Sequence, residues 1–407
     1  MKQAAIKNKI QTNYDIPSDW TVMPLGTLGS FSKGKGILKE QVISDGLPCI
    51  RYGEIYTTHD FIIKEFKSFI SDDVAAESKE IENGDILFAG SGETIEEIGK
   101  AVAYIGSEKA YAGGDVIILS TKKDVNPECL SYALETDFVK RQKRVLGQGN
   151  SVVHIYPSDL SKVKIILPPL PEQKNIAQVL STADAAIHTN EKLIAQKELR
   201  KKWLMQQLLT GKKRLKGFGE EWKENKLEYF IKEYKQKPTG VDNYEVLTSA
   251  KSGLMKQTDY YGDNRITNRD DADYNVIPPN YLTYRSRSDD GLFTFNKNDL
   301  GITGLISGYY PVFTIKNGDL DFILMYMNYY KQKLTKYAIG TSQLVLAMNS
   351  LKEAKFVLPE HEEQAAIARV LQSADKEISL LKLTAEKLRE KKKGLMQKLL
   401  TGKIRIK

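Results

Sequence analysis

Apolar and polar residues alternate most regularly in two long stretches, one near the middle of the chain and one at its end. In the later stretch apolar residues recur at alternating steps of three and four, the spacing of a coiled-coil seam. These seam residues are Ile367, Leu371, Ala374, Ile378, Leu381, Ala385, Leu388, Leu395 and Leu399, with Lys392 as the interruption. The earlier stretch keeps the same frame but has polar residues at Asn190, Lys197 and Lys201. The spacing predicts two long helices that pack on each other.

The two stretches are copies of one module. Residues 167–216 and 358–407 align without a gap at a displacement of 191 residues. Proline forbids helix before it but is tolerated in a first turn, so the helices should begin near Glu172 and Glu363. Gly211 and Gly402 should end them. At ~1.5 Å per residue, about forty residues make a rod of ~55 Å. Polar seam residues can fix register and partner, so we expect an antiparallel coiled coil between the two unequal copies.

Before each of these helices the pattern changes to short apolar runs separated by Gly, Asp and Asn, which is typical of β-strands. In the first half, strands are predicted at residues 47–52, 81–89, 100–105 and 114–119. Residues 126–144 should contain a helix, because a proline follows Asn126 and large apolar residues are spaced four apart. The second segment repeats the plan loosely, since Trp222 and Phe230 match Trp20 and Leu28 in spacing.

The predicted fold class is therefore α+β, with a pseudo-two-fold internal repeat. Two mixed α/β globular domains with β-rich cores are separated by two long helices that pair as an antiparallel coiled coil. The expected boundaries are an N-terminal tail at 1–17, a first domain at 18–166, a central helix at 167–216, a second domain at 217–357 and a C-terminal helix at 358–407.

The amino-acid composition limits the classes of molecule that the chain is expected to bind. The 407 residues carry a net charge of +8, which suits a polyanion, although 28% charged residues of both signs is ordinary for a protein surface. The N-terminus lacks the apolar core of a signal peptide and no run of about eighteen apolar residues occurs, so we expect a cytoplasmic protein with no membrane part. Cys49 and Cys129 match no metal spacing, and the four histidines are scattered.

One motif suggests a cofactor. Asp85 to Gly92 reads as a strand that enters Phe-x-Gly-x-Gly, the form of an S-adenosylmethionine loop. An amino-methyltransferase also needs an Asn/Asp-Pro-Pro-aromatic tetrapeptide, whereas this chain has only Leu167-Pro-Pro-Leu170 and Ile277-Pro-Pro-Asn280. We therefore favour a strand-to-loop turn that presents small residues to a ligand. No catalytic constellation is recognised, so the chain is not expected to be an enzyme.

The second domain concentrates aromatic and basic residues. Arg285 and Arg287 fall on one side of a probable strand end, where guanidinium groups could meet guanine edges or phosphates. The ordinary alternatives are plain surface for the arginines and half-buried strand positions for the tyrosines. The candidate DNA-contacting residues are Lys33, Lys35, Arg51, Ser91, Lys100, Asn150 and Ser151 in the first domain, and Lys251, Tyr284, Arg285, Arg287, Tyr309 and Ser342 in the second.

The arrangement resembles the specificity subunit of type I restriction-modification systems. The resemblance rests on two diverged domains that alternate with two similar helices, each introduced by Leu-Pro-x-x-x-Glu-Gln, at 167–173 and 358–364, and each closed by Leu-Leu-Thr-Gly-Lys. It implies a non-catalytic subunit whose two target recognition domains bind the halves of a split, asymmetric site on double-stranded DNA. It also implies two modification subunits that use S-adenosylmethionine and two restriction subunits that use ATP and Mg²⁺, with no cofactor on this chain. Two other hypotheses are a coiled-coil scaffold that binds proteins and a self-sufficient methyltransferase.

Overall fold

The computed structural model describes residues 15–149, 152–239, 243–262 and 273–406. The chain forms two units. One extends to Glu191 and resumes at Leu383, and the other comprises Lys192–Lys382.

The first unit is a mixed α/β structure. Its described strands are β1 (Thr21–Pro24), β2 (Gly29–Lys33), β3 (Leu47–Ile50), β4 (Ile62–Ile63), β5 (Ser68–Ile70), β6 (Lys79–Ile81), β7 (Ile86–Ala89), β8 (Ser91–Gly92), β9 (Ala101–Tyr104), β10 (Ala110–Ala112), β11 (Val116–Thr121), β12 (Val153–His154) and β13 (Lys164–Leu167). Its helices are α1 (Tyr52–Thr57), α2 (Asp72–Glu77), α3 (Pro127–Ala133), α4 (Asp137–Leu146), α5 (Pro157–Leu160) and the start of α6 (Leu170–Leu208).

The two larger sheets of this unit have the strand orders β2-β11-β7-β9-β4 and β5-β3-β10-β6, and β1 pairs with β13 and β8 with β12. The central strand β7 is buried on both faces, as its unbroken apolar sequence requires. Its side chains alternate between two cores. Ile86 and Phe88 pack with α3, α4 and the long helices, while Leu87 and Ala89 pack in a second apolar cluster with β9, β10 and β11.

The strands predicted in this half are confirmed as β3, β7, β9 and β11. The predicted run 81–89 is broken by a turn at Glu82–Asp85, where the backbone nitrogen of Glu82 donates to the Asp85 carboxylate at 2.9 Å. The helix predicted within 126–144 is two helices, α3 and α4. They separate because Thr136 is extended and its hydroxyl donates to the Ala133 carbonyl at 2.7 Å.

The second unit repeats the plan with different loops. Its described strands are β14 (Lys223–Lys226), β15 (Ile231–Tyr234), β16 (Glu245–Ala250), β17 (Gly253–Lys256), β18 (Tyr274–Ile277), β19 (Leu282–Tyr284), β20 (Arg287–Ser288), β21 (Phe295–Lys297), β22 (Gly304–Ser307), β23 (Val312–Ile315), β24 (Leu344–Val345) and β25 (Lys355–Leu358). Its helices are α7 (Gln257–Tyr261), α8 (Leu320–Tyr329), α9 (Lys331–Leu334), α10 (Met348–Lys352) and the start of α11 (His361–Leu399). The sheets have orders β15-β23-β19-β21 and β17-β16-β22-β18.

The two long helices, α6 and α11, have 39 residues each, which confirms the predicted repeat of one helical module. Each begins two residues before the predicted glutamate, because a proline or histidine is accepted in the first turn. In α6, Gln173 closes the turn by donating from its side chain to the Pro168 carbonyl at 2.9 Å. The predicted glycine stops are confirmed, since Gly211 and Gly402 have φ values of +70° and +73°.

In the first unit the opening half of α6 packs against the closing part of α11. Asp184 forms an ion pair with Lys392, and Glu191 forms one with Arg389. From one ion pair to the next, the residue number rises in α6 and falls in α11. The two segments are therefore antiparallel, as predicted.

In the second unit the closing half of α6 packs against the opening part of α11. Glu198 lies 2.6 Å from Lys382, and Lys201 forms an ion pair with Asp375. The direction is again antiparallel. The predicted seam positions of both helices are buried or half-buried, including Lys392, which is only 7% exposed.

Candidate nucleic-acid interface

The segment from β19 to β20 presents two arginines on the surface of the second unit. Side chains alternate along an extended segment. Tyr284, Ser286 and Ser288 therefore point inward, and the hydroxyls of Tyr284 and Ser286 donate to main-chain carbonyls at 2.9 and 2.5 Å. Arg285 and Arg287 are exposed between them. The anchored residues fix where the two guanidinium groups emerge.

These arginines open onto a cavity of about 570 Å³ in the second unit. Lys251 lies on its rim after β16, and Tyr260 and Tyr310 contribute aromatic walls. The guanidinium group of Arg287 also stacks over the ring of Tyr309, with 4.5 Å between the guanidinium carbon and the ring centroid. The fold thus gathers cations and aromatic rings from several separate strands and loops.

Acidic residues line the same cavity but are held by neighbouring groups. Asp290 accepts a hydrogen bond from Ser288 at 2.7 Å and lies 2.9 Å from the Lys251 ammonium group. The Ser288 hydrogen bond, followed by that of Lys251, holds the pKa of Asp290 well below its usual range. Among the described residues, neither Arg285 nor Arg287 has a carboxylate partner. The two guanidinium groups therefore keep their donors for a ligand.

Two other predicted residues of the second domain have different outcomes. Ser342 is exposed, and the adjacent Gln343 donates to Asp289 at 2.9 Å, which places this loop beside the cavity. Tyr284 has no exposed surface and packs against Phe295, with ring centroids 4.8 Å apart. The expectation that Tyr284 contacts DNA is corrected, because its strand partners turn it into the core.

In the first unit, three of the predicted cations lie at or just after the ends of strands β2 and β3. Lys33 ends β2, and its ammonium group lies 5.3 Å from the centroid of the Tyr156 ring. Lys35 is exposed, and its backbone nitrogen donates to the Ala112 carbonyl at 3.0 Å. Arg51 follows β3 and is half-buried, with its Nε atom 3.7 Å from a carboxylate oxygen of Glu54.

Ser91 and Lys100 are less available than the sequence indicates. Ser91 is 4% exposed, and its hydroxyl lies 2.9 Å from Nδ1 of His154. Lys100 is half-buried, and its ammonium group donates to the Tyr56 carbonyl at 3.3 Å. The expectation for Ser91 is corrected, since the pairing of β8 with β12 covers it. Asn150 and Ser151 lie outside the described residues.

The segment that carries Arg285 and Arg287 has a structural counterpart in the first unit, at residues 89–91. The backbone nitrogen of Ile155 donates to the Gly90 carbonyl at 3.0 Å, and that of Leu346, its repeat, donates to the Ser286 carbonyl at 2.8 Å. Likewise β8 pairs with β12 as β20 pairs with β24. Ser91 therefore corresponds to Arg287, and by the same offset Ala89 corresponds to Arg285. One framework carries different side chains in its two copies.

The glycines after Phe88 serve the packing of the chain itself. A Cβ atom at Gly90 would lie 2.8 Å from the Asp115 carbonyl oxygen, and one at Gly92 would lie 2.7 Å from the Tyr56 hydroxyl. Close approach of the chain's own atoms thus explains both glycines, and a nucleoside is not needed to explain them.

Sequence reasoning missed three aromatic residues of this cavity, Tyr260, Tyr261 and Tyr310. The signal was present in the Tyr-Tyr dipeptides at 260–261 and 309–310. Periodicity could not show that both residues of the first pair line the cavity, whereas only Tyr310 of the second pair does. The contact between separate loops decides this.

The two cysteines lie inside the first unit, away from solvent. Cys49 and Cys129 are buried, and burial raises the pKa of each thiol to about 12. In the part of the chain that the structure describes, no three His, Cys, Asp or Glu side chains are grouped to hold a metal ion. No helix in these same described ranges combines the length and apolar content needed to cross a bilayer.

Comparison with known proteins gives one consistent family. The model of the type I restriction modification DNA specificity domain matches residues 17–198 and again residues 212–390. The chain is 26% identical to the type I restriction enzyme MjaVIII specificity subunit of Methanocaldococcus jannaschii, over 96% of this chain and 94% of that protein. It is 27% identical to the putative type I restriction enzyme MjaX specificity subunit of the same organism, over 97% of this chain and 95% of that protein.

Solved structures show the same fold. The S subunit of a type I restriction-modification system from M. genitalium superimposes with a TM-score of 0.58 at 15% identity, covering 96% of this chain and 97% of that chain. The HsdS subunit from Thermoanaerobacter tengcongensis gives a TM-score of 0.50 at 20% identity, covering 96% and 99%. Because the family model matches most of the chain in two successive copies, the chain belongs to the type I restriction modification DNA specificity family.

Proposed function

We propose that this chain is a non-catalytic subunit whose two domains bind the two halves of one asymmetric duplex DNA site. We assign residues 18–166 and 217–357 as the two target recognition domains. The observation that carries the proposal is that equivalent segments bear the buried Ala89 and Ser91 in one domain and the exposed Arg285 and Arg287 in the other. Equal frameworks with unequal side chains are suited to two different half-sites.

The side chains that line the cavity of the second domain are of types that bind DNA. Arginine can donate two hydrogen bonds to the O6 and N7 atoms of guanine in the major groove, or to phosphate oxygens. Arg285 and Arg287 are exposed and held by a rigid segment, which limits the entropy lost on binding. The net charge of +8 favours association with a polyanion. In the first domain the proposed contacts are Lys33, Lys35 and Arg51, which lie at other positions of the fold.

The same chain is proposed to assemble the enzyme. Two modification subunits would dock along the long helices and use S-adenosylmethionine, and two restriction subunits would use ATP and Mg²⁺. Family membership supports these partners, and the self-packed glycines after Phe88 give no support to a cofactor site on this chain.

Exchange of one domain tests the proposal. Residues 18–166 are replaced by the equivalent segment of a relative, and the variant is expressed with its modification partner. Sequencing of methylated adenines should show one altered half-site and one unchanged half-site. The reciprocal exchange of residues 217–357 is the matched control and should alter the other half. A change in both halves after a single exchange would contradict the proposal.

Filter binding separates this function from a protein-binding scaffold. The full chain with its modification partner should retain duplexes that carry the methylated motif more strongly than duplexes with a scrambled motif. Equal retention of both duplexes would favour the scaffold.

A further inference from the structure

The ends of the two long helices are held by the same contacts in both units. In the first unit, Glu172 at the start of α6 accepts hydrogen bonds from Trp20 at 3.0 Å and from Arg405, beyond the end of α11, at 2.7 Å. In the second unit Glu363 and Arg214, the repeats of Glu172 and Arg405, form the same ion pair at 2.6 Å. Because these residues are identical in the two copies, each end would accept either helix.

The middle of the helices differs in charge. Glu191 of α6 pairs with Arg389 of α11 in the first unit, and Glu198 of α6 pairs with Lys382 of α11 in the second. Under the repeat Glu191 corresponds to Lys382, and Glu198 corresponds to Arg389. At these positions α6 therefore supplies both acids and α11 supplies both bases.

This distribution separates the native pairing from its alternatives. If α6 paired in the same register with α6 of a second chain, Glu191 would face Glu198 twice. If α11 paired with a second α11, Lys382 would face Arg389 twice. Every attractive contact of this set would become repulsive, and opposed charges at such flanking positions set partner choice in coiled coils.

A neighbouring ion pair also favours the pairing of α6 with α11 over the pairing of two like helices. Lys197 of α6 forms an ion pair with Glu377 of α11. The repeats of these residues are Leu388 and Ala186. In a pair of two α6 helices Lys197 would face Ala186, and its carboxylate partner would be lost.

We propose that this charge pattern makes each long helix select the other type of helix and reject a second copy of itself. Chains built from repeats are prone to mispairing between copies while they fold. Here the identical helix ends would permit such mispairing, so the charged residues in the middle of the helices determine which helices pair. The inference does not depend on DNA recognition.

A charge exchange removes the selection and keeps the native pairing attractive. In the single-exchange variant, Glu198→Lys is combined with Lys382→Glu. The native pair remains oppositely charged, but position 198 now carries the charge that Glu191 of a second α6 attracts. The double-exchange variant adds Glu191→Arg and Arg389→Glu. It makes α6 uniformly basic and α11 uniformly acidic at these positions, which restores the selection.

Zero-length carbodiimide cross-linking, which joins carboxylates to amines in contact, identifies the partners. Links from Asp184 to Lys392 and from Lys201 to Asp375 report native pairing. A link from Asp184 to Lys201 reports two α6 helices. These two residues are 17 positions apart in one helix. At ~1.5 Å per residue they are ~25 Å apart, too far for a link within one chain.

The full chains are refolded from denaturant over a series of protein concentrations, cross-linked and digested for mass spectrometry. The wild type should give the native links. The single-exchange variant should keep them and show at least about a tenfold increase in the Asp184–Lys201 link, because several surface charge pairs change sign together. The double-exchange variant should return to the wild-type level.

Three outcomes would overturn the inference. They are an Asp184–Lys201 link as strong in the wild type as in the single-exchange variant, no return to the wild-type level in the double-exchange variant, and loss of the native links in the single-exchange variant. Far-UV circular dichroism of each refolded chain confirms that the helices have formed.

Discussion

Lys392 occupies a seam position of α11, where an apolar residue is expected, and its ammonium group is buried. It forms an ion pair with Asp184, and the two side chains are 8% and 14% exposed. The ammonium group also lies 3.8 Å from the centroid of the Phe61 ring, and the Tyr132 hydroxyl donates to Asp184 at 2.7 Å. We predict that Lys392→Met strongly destabilises the first unit, because it leaves the Asp184 carboxylate buried with one partner fewer.

The magnitude follows from this burial. Removing one partner of a fully buried ion pair costs ~3 to 5 kcal/mol. The cost here should be ~2 to 3 kcal/mol, because Asp184 keeps the Tyr132 hydrogen bond and methionine retains most of the apolar contact. For a unit of this size ~1 kcal/mol shifts the unfolding temperature by ~2 to 4 °C, so the expected loss is roughly 5 to 10 °C.

The repeat provides a matched control. Lys201, the repeat of Lys392, pairs with Asp375, but these side chains are 29% and 47% exposed. Solvent screens such a pair, so Lys201→Met should cost at most ~1 kcal/mol. Differential scanning calorimetry of the two variants measures both losses. Equal losses for the two substitutions, or a loss below ~1 kcal/mol for Lys392→Met, would refute the argument from burial.

Three further predictions concern binding, pH and spacing. Arg285→Ala or Arg287→Ala should cost ~1 to 3 kcal/mol of DNA affinity and relax one position of the second half-site; a uniform loss with a salt slope lower by ~1 would instead identify phosphate contacts. Burial alone would raise the pKa of Glu172, but hydrogen bonds led by that of Arg405 hold it below its ordinary value. This carboxylate therefore stabilises the fold at pH values above its ordinary pKa, and this stabilisation is lost as pH falls through the folded-state pKa. In the Glu172→Gln variant the unfolding temperature should therefore fall less between about pH 5 and pH 3 than it does in the wild type. Inserting one heptad after Asn190 and one at the matching position of α11 adds ~10 Å to each helix. The gap between the half-sites should then widen by at most about three base pairs, and the methylated bases should not change. An unchanged gap in an active variant would show that parts of the protein other than these helices set the distance.

The two long helices and four strands of the first domain could be predicted because their signals are local. The seam from Ile367 to Leu399, the glycine stops at Gly211 and Gly402, and the apolar run of β7 each depend on neighbouring residues alone. The gapless repeat of the helical module also indicated that two similar helices pair, since each copy offers the apolar stripe that the other needs to bury.

Side-chain availability was decided by the tertiary structure. Tyr284 and Arg285 are adjacent and both polar in sequence, but the pairing of β19 with β21 and β23 turns the tyrosine into the core and leaves the arginine exposed. Ser91 is covered by β12, which lies more than sixty residues later in the chain.

The same distinction holds within the helices. The sequence determined that Lys392 interrupts the seam, because the interruption is visible in the local period of the apolar residues. Its partner Asp184 lies 208 residues away, and only the antiparallel packing of α11 on α6 brings the two charges together. A periodic pattern specifies which face of an element is buried, whereas the identity of the group that meets a buried charge depends on contacts between distant segments of the chain.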